Sequence, residues 1–360
     1  MKYKALAAFA AIKTIALLAL WQLAPHFDTT LSKIIHRWDA QWYSRIARDG
    51  YGYVAFAADG RQLSDYAFFP LYPLLEKFIQ GIFGLTYIYS GVLLSTISSL
   101  VAALGIYKVT AHFKSPRIAF YTVVIWAALP IGSVQTLAYS ESLFTALAAW
   151  SLYFTLKHQW IVAASLAVLA GLTRPIGISV AAAVMVGILV YGRKHRVKPS
   201  MIAAFLIAPL GWVGYILWVD SQLPSHKSYF SIADGWGNSV DGGAAFAQWI
   251  SDFFSEGKVF IGLALLCAVA LLIALVIALL RSNAPLPLII YSSLIVLLAL
   301  ITSGYFGSKP RYLLPVFPLL IPLASWISHH SREKRVFLSG LLVVSSLAYG
   351  TLWLTGSGPL

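Results

Sequence analysis

His36-Arg-Trp-Asp-Ala-Gln-Trp-Tyr-Ser-Arg-Ile-Ala-Arg-Asp-Gly-Tyr-Gly-Tyr53 is a charged and aromatic stretch in a chain that is otherwise mostly apolar. Asp39 stands in it between Trp38 and Trp42. Read as one helix, it puts Ile35, Trp38, Trp42 and Ile46 on one face, at spacings of three and four, and Arg37, Ser44 and Arg48 on the other. Tryptophan and tyrosine favour the headgroup level of a bilayer. The pattern therefore predicts a helix lying on a membrane surface. Asp39 falls at the border of the apolar stripe. A carboxylate there is partly desolvated, which raises its pKa and makes it a better base. The competing reading is an acid that only pairs with Arg37 or Arg45.

Around this stretch the composition is that of a membrane protein. Of 360 residues, 59% are hydrophobic and 11% charged, against about 25% charged in soluble domains. Apolar runs of membrane-crossing length recur along the chain. The spans expected are 5–24, 85–107, 118–137, 142–156, 160–172, 176–191, 201–219, 258–281, 285–301, 312–329 and 336–354, eleven in all. The expectation is an all-α polytopic bundle forming one integral domain over 1–360, with two long polar segments at 25–84 and 220–257. The N-terminal stretch 1–24 reads as an anchor that stays, not as a cleaved signal. The spans 160–172 and 176–191 are short and meet at Thr173-Arg174-Pro175, a pattern of backbone lining a cavity.

With the N-terminus inside, 14 of the 26 Lys and Arg fall in short cytoplasmic loops, and 12 of the 13 Asp and Glu fall outside. Positive charge in short loops sets orientation, so both long polar segments are expected to face out. The net charge of +13 is then topogenic, not a nucleic-acid signature. The one cysteine, Cys267, excludes an internal disulfide framework and a cysteine-based zinc site. Walker A, G-x-S-x-G and H-E-x-x-H patterns are missing, so ATP-driven transport by this chain alone and the usual hydrolase arrangements lose support.

Other residues carry weaker signals. Asp65-Tyr66-Ala67-Phe68-Phe69-Pro70-Leu71-Tyr72-Pro73 packs aromatics between prolines and predicts a rigid re-entry toward the membrane. Glu141 and Arg174 are ionisable groups at the ends of short spans and default to functional hypotheses. Glu141 also suits a helix N-terminus. Arg311 and Arg174 are candidates for an anionic lipid headgroup, since arginine holds phosphate bidentately, with Lys309 beside Arg311. Ordinary snorkelling is the alternative for these cations. Asp234, Asn238 and Asp241 have calcium-type oxygens without EF-hand spacing and read as a turn. His329-His330 reads as solvated rather than metal-binding.

Five segments together resemble the PIG-V family of membrane mannosyltransferases, relatives of the second GPI mannosyltransferase. They are Arg37-Trp38-Asp39-Ala40-Gln41-Trp42-Tyr43 with Gly50-Tyr51, Phe68-Phe69-Pro70-Leu71-Tyr72-Pro73, Tyr139-Ser140-Glu141-Ser142-Leu143-Phe144, Thr173-Arg174-Pro175-Ile176-Gly177, and Pro310-Arg311-Tyr312-Leu313-Leu314-Pro315. Their order is that of the family, and the chain's length is that of a prokaryotic version. The resemblance implies a GT-C fold in a bacterial plasma membrane, an active site on the outer face, a polyprenyl-phosphate sugar donor, and a catalytic acid in the first outer loop. It points to inverting transfer of mannose to a lipid or glycan acceptor. Asp39 would be the base, and Arg311 and Arg174 would hold the leaving phosphate with Lys309 in support. Trp38, Trp42 and Tyr43 would stack on sugar or prenyl chain, with Arg37, Tyr72 and Glu141 completing the substrate-binding set. No cofactor is required by this scheme, though an acidic outer face leaves room for a weak divalent cation. A lipid transporter or flippase suits the broken spans as the rival class, and a structural partner in a glycosylation complex is a third.

Overall fold

In a computed structural model that describes residues 1–304 and 306–356, the chain is a helical bundle with two polar segments packed against it. The first helix, α1 (Lys2–Leu23), is mostly apolar, with Lys13 buried on it. The polar segment that follows carries α2 (Leu31–Ile35), α3 (Asp39–Asp49), a hairpin of β1 (Val54–Phe56) with β2 (Gln62–Ser64), and α4 (Leu71–Phe83). The bundle continues with α5 (Tyr87–Phe113), α6 (Pro116–Ala127), α7 (Glu141–Leu156), α8 (Trp160–Gly171), α9 (Ile178–Gly192), α10 (Pro199–Ile207) and α11 (Leu210–Gln222). Two amphipathic helices, α12 (Tyr229–Gly235) and α13 (Ala244–Ser255), form the second polar segment. The chain then runs through α14 (Val259–Arg281), α15 (Leu286–Ile301), the short α16 (Lys309–Leu313), α17 (Leu320–Ser328) and α18 (Arg332–Thr355).

Among the described residues six helical stretches are long and apolar enough to cross a membrane: 2–27, 87–113, 175–192, 199–222, 259–281 and 332–355. Shorter apolar helices at 116–127, 160–171, 286–301 and 317–328 complete a polytopic membrane protein. The expected spans 118–137 and 312–329 are not continuous. A helix interior rejects proline and the residue before it. Pro130 accordingly follows the end of α6, and Pro315 and Pro318 separate α16 from α17.

These breaks leave helix carbonyls without partners inside the protein. Two lysines answer them. The Lys13 ammonium, buried on α1, donates to the carbonyls of Ala127 (2.7 Å), the last residue of α6, and Gly132 (2.8 Å), just past it. Lys309 does the same for α15, donating to Ala299 (2.5 Å) and Thr302 (2.7 Å).

The stretch that opened the sequence reading is not one helix on a membrane surface. α2 ends at Ile35, and Trp38 adopts φ 54° and ψ −125° before α3 begins at Asp39. The apolar stripe of α3 is covered by protein: Tyr43, Ile46 and Ala47 are buried, and Trp42 stacks on Phe68 (5.5 Å) and meets Trp236 edge-on (5.0 Å). The exposed apolar stripe belongs to α4 instead. Leu74, Phe78 and Ile82, spaced by four, all point away from the protein.

The second polar segment is stitched over the first. The Trp236 indole donates to the Ser64 carbonyl (2.9 Å), and Val240 pairs with Thr302 in an antiparallel bridge. Asp241 accepts from the amides of Gly243 (2.8 Å) and Ala245 (2.7 Å), capping α13, so its oxygens serve a turn.

Helices α8 and α11 approach so closely that both faces need glycine. A Cβ on Gly211 would collide with the Val168 carbonyl, and one on Gly171 would lie 2.7 Å from the Trp212 amide. Backbone cannot yield as a side chain can. Gly211→Ala should therefore cost about 1–3 kcal/mol, read as a lower thermal midpoint in detergent; an unchanged midpoint would show that the two helices part without cost.

Candidate active site

Asp39 is placed by local backbone. Positive φ is rare for a bulky residue and signals a position fixed by its surroundings. Trp38 adopts it at the N-cap of α3, so that Asp39 becomes the first residue of that helix. There the helix dipole favours a negative charge.

Four segments far apart in sequence meet at this carboxylate. Asp39 Oδ2 lies 2.7 Å from Arg311 Nη1 on α16. Arg311 Nε lies 3.1 Å from Glu141 Oε1, at the first residue of α7. The same Glu141 oxygen is 2.7 Å from Arg174 Nη1. Arg174 precedes Pro175 and is held extended (φ −154°, ψ 153°), as a residue before proline should be. Its Nη1 also donates to Ser140 Oγ (2.9 Å), which lies 2.7 Å from the Tyr43 hydroxyl.

The charges balance: Asp39 and Glu141 against Arg174 and Arg311, two minus two. Pairing of this kind is what makes burial of charge tolerable. The arginines approach Glu141 by charge more than by aligned hydrogen bonds, since neither Glu141 oxygen has a partner of hydrogen-bond geometry among the described residues. Access is unequal. Side-chain exposure is 0% for Glu141, 6% for Arg174 and Arg311, and 19% for Asp39. Asp39 is thus the most exposed member of the group, and Oδ2 is the oxygen that faces Arg311. Burial pushes the Asp39 pKa above the ordinary aspartate value, the Arg311 charge pulls it back, and Glu141 adds to the rise.

The other expected site residues divide. Tyr43 is buried and joins the network through Ser140. Arg37 and Trp38 line an open depression together with Gln41, Thr355 and Gly356, and Asp39 is not part of its wall. Arg37 does not pair with Asp39, and Arg45 lies over the Tyr53 ring instead (3.7 Å). Trp42 is committed to Phe68 and Trp236. Tyr72 does not reach the surface as a substrate contact must. It is fully buried, donates to the Gly91 carbonyl (2.9 Å), and packs against the Tyr43 ring (4.7 Å), so it supports the site from beneath. Lys309 is likewise held away from Asp39: its ammonium is spent on α15 and sits over the rings of Phe246 (5.0 Å) and Phe306 (5.1 Å). Burial there lowers its pKa to about 8.

Sequence reasoning passed over Glu76, Lys13 and the contact made by Trp236. Glu76 is buried on α4 with both oxygens lacking hydrogen-bond partners among the described residues, and burial raises its pKa well above the usual carboxylate range. An acid with Leu74, Leu75, Phe78 and Ile79 around it was the available signal, masked by its neighbour Lys77.

No protein-family model matches the chain, and no curated protein matches it. Solved structures do share its fold. ArnT from Cupriavidus metallidurans bound to undecaprenyl phosphate aligns with a TM-score of 0.57 at 18% identity, covering 93% of this chain and 63% of that one. The apo oligosaccharyltransferase of Archaeoglobus fulgidus gives 0.53 at 14% identity, covering 98% and 56%. AglB from Archaeoglobus fulgidus, in complex with an inhibitory peptide and a dolichol-phosphate, gives 0.52 at 13% identity, covering 98% and 56%. The chain therefore spans less than two thirds of each of these proteins. The likeness shows the fold, the GT-C architecture.

Removing Glu141 would leave two buried guanidinium groups with one partner between them. Glu141→Ala should destabilise the protein by about 3–5 kcal/mol, while the exposed pair Arg48–Asp49 should be worth less than about 1 kcal/mol. Thermal unfolding of Glu141→Ala and Asp49→Asn would separate the two; equal midpoints would deny the network its structural role.

Proposed function

We propose that this protein is an inverting membrane glycosyltransferase that moves a hexose from a polyprenyl-phosphate donor to a hydroxyl of a lipid or glycan acceptor. The observation that carries the reading is Asp39, a partly exposed carboxylate held 2.7 Å from Arg311 at the edge of a buried charge network, in a GT-C fold. The undecaprenyl phosphate in the ArnT structure and the dolichol-phosphate in the AglB structure support a lipid-phosphate donor. The PIG-V resemblance supports mannose as the sugar and a prokaryotic member of that family. The distribution of acids and lysines supports a cytoplasmic N-terminus, and with it a site on the outer face of the cell membrane.

In this mechanism the acceptor hydroxyl donates to Asp39 Oδ1 while its oxygen attacks the anomeric carbon. The bond from that carbon to the phosphate oxygen breaks, its electron pair leaves with the phosphate, and the hydroxyl proton passes to Asp39. Before the step the four-charge group is neutral. After it, Asp39 is neutral and the group carries one net positive charge, held by Arg311 and Arg174. That charge appears as the phosphate becomes more negative. An interaction that strengthens during the reaction lowers the barrier rather than only tightening binding. The phosphate leaves without a general acid, which fits one accessible carboxylate.

The flippase reading loses ground to the same geometry. At the α8–α9 break Arg174 is bound to Glu141 and Ser140, not presented to a passage. A divalent cation is also unneeded in this scheme. The Arg311 guanidinium sits between Asp39 and Glu141, where a metal bridging the two acids would sit.

The direct test is transfer of radiolabelled polyprenyl-phosphate mannose to a membrane lipid extract by the purified protein in lipid. A folded Asp39→Asn should lose about 100-fold to 10,000-fold of the rate; full activity in that variant would remove Asp39 as the base. The same assay run against pH tests the protonation state. A raised pKa keeps Asp39 protonated where an exposed aspartate would be ionised, so the rate should fall on the acid side with a midpoint above that of an exposed aspartate. In the presence of EDTA the rate should persist, and a collapse restored by magnesium or manganese would contradict the role given to Arg311.

A further inference from the structure

Glu76 is the buried acid that the mechanism leaves unused. It lies on the side of α4 turned to the protein, while Leu74, Phe78 and Ile82 point outward from the other side. An acid costs least where it meets water. This one is fully enclosed, and neither oxygen has a hydrogen-bond partner among the described residues. Nothing around it supplies a compensating charge. The buried titratable groups nearest in the fold are Tyr72 on α4 itself, Tyr43 on α3 and Glu141 on α7, and none is a cation. The remaining charges of α3 are engaged elsewhere: Asp39 with Arg311, Arg45 over the Tyr53 ring, and Arg48 with Asp49. Lys77 is exposed, and Tyr87 and Tyr89 at the start of α5 are not buried.

The packing at Glu76 is close. A Cβ on Gly91 of α5 would collide with Glu76 Oε1, and would lie 2.9 Å from Ala138 Cβ and 3.1 Å from the Tyr72 hydroxyl. The carboxyl, the α5 backbone, the segment before α7 and Tyr72 therefore meet at one point. Two links run from there to the charge network. The Tyr72 ring packs on Tyr43 (4.7 Å), whose hydroxyl lies 2.7 Å from Ser140 Oγ, the atom that accepts from Arg174. The Tyr72 hydroxyl also lies 2.8 Å from Ser95 Oγ, which donates to the Tyr139 carbonyl (2.8 Å), two residues before Glu141.

We propose that Glu76 is a positioning residue that works as an uncharged carboxylic acid. Seated against Gly91, it sets how α4 lies on α5. Through Tyr72 it thereby sets where Tyr43, Ser140 and Tyr139 hold the Arg174–Glu141 end of the network. Its bearing on the reaction rests on the transferase reading; its protonation and its hold on α4 do not. Ionised, the carboxylate would be an unpaired charge in an apolar wall, and its pull toward water would loosen α4. Burial raises its pKa well above the ordinary glutamate value. The unfolded chain ionises at that ordinary value. The stability that the neutral form contributes is therefore complete below it, and is lost as pH rises toward the folded pKa.

The test compares wild type with Glu76→Gln, which keeps the shape and cannot ionise, and with Glu76→Ala, which empties the space. In the transfer assay the wild-type rate should fall on the alkaline side, by about 10-fold per pH unit past the midpoint. Glu76→Gln should keep the neutral-pH rate and lose this alkaline fall, while Glu76→Ala should lose about 10-fold to 100-fold at neutral pH, as displaced site residues do. Two readouts need no activity. Wild type carrying isotope-labelled glutamate should show the infrared carbonyl band of a protonated carboxyl at neutral pH, and Glu76→Gln should lack it. The thermal midpoint of Glu76→Gln should gain on that of wild type as pH rises. A wild type without the band, or an unchanged alkaline fall in Glu76→Gln, would overturn the proposal. If wild type transfers sugar but shows no band, the role of Glu76 falls and the transferase stands. If the band and the gain in midpoint are present but no lipid-linked sugar is transferred, the transferase falls and the hold of neutral Glu76 on α4 stands.

Discussion

Everything around the site depends on one constraint: four charges are buried together and must cancel. A lone carboxylate or guanidinium in an apolar interior costs several kcal/mol even after relaxation. Glu141, fully enclosed, is tolerated because Arg174 and Arg311 both reach the same oxygen. Arg311 in turn is close enough to Asp39 to share its charge. The network therefore ties α3, α7, α16 and the α8–α9 break to one point. None of these segments can shift without exposing an unpaired charge, so the Asp39 carboxylate is positioned by electrostatics as much as by packing.

Breaking helices inside a membrane protein creates a second cost, which the lysines offset. Arg174 can leave the α8–α9 wall only because Pro175 interrupts it, and Arg311 lies on α16 just beyond the end of α15. Each interruption frees carbonyls that lipid cannot satisfy. Lys309 bonds those at the end of α15, two residues from Arg311, and Lys13 bonds those beyond α6. A lysine near a helix C-terminus also complements its dipole. On this view Lys309 serves the site at one remove: it fixes the turn from which Arg311 is presented.

Fold class and site were legible to different degrees, for physical reasons. Apolar run length is a one-dimensional property, so the bundle could be read from composition and periodicity. The breaks at Pro130 and Pro315 were visible as residues but not as interruptions, because a proline either kinks a span or ends it according to its neighbours. The amphipathic pattern of α3 was correct, yet periodicity records that a face is apolar and not what covers it. Trp236 and Phe68 cover it here, from segments no local reading could bring near. Glu141, Arg174 and Arg311 stood out because charge is costly in such surroundings, but their pairing with each other and with Asp39 is a three-dimensional fact. Tyr72 shows the same limit: its burial beneath Tyr43 depends on α5, which local sequence does not bring near.

The neutrality of the network also bears on how the site tells its resting state from its reacting one. While Asp39 is ionised, Arg311 is held between two acids and projects little net field. In the proposed transfer, taking up the acceptor's proton removes one of those acids electrically while the heavy atoms stay in place. The freed positive charge then acts across a low-dielectric interior, where Coulomb interactions are several times stronger than in water. In that reading a departing phosphate meets a field absent when the donor was bound.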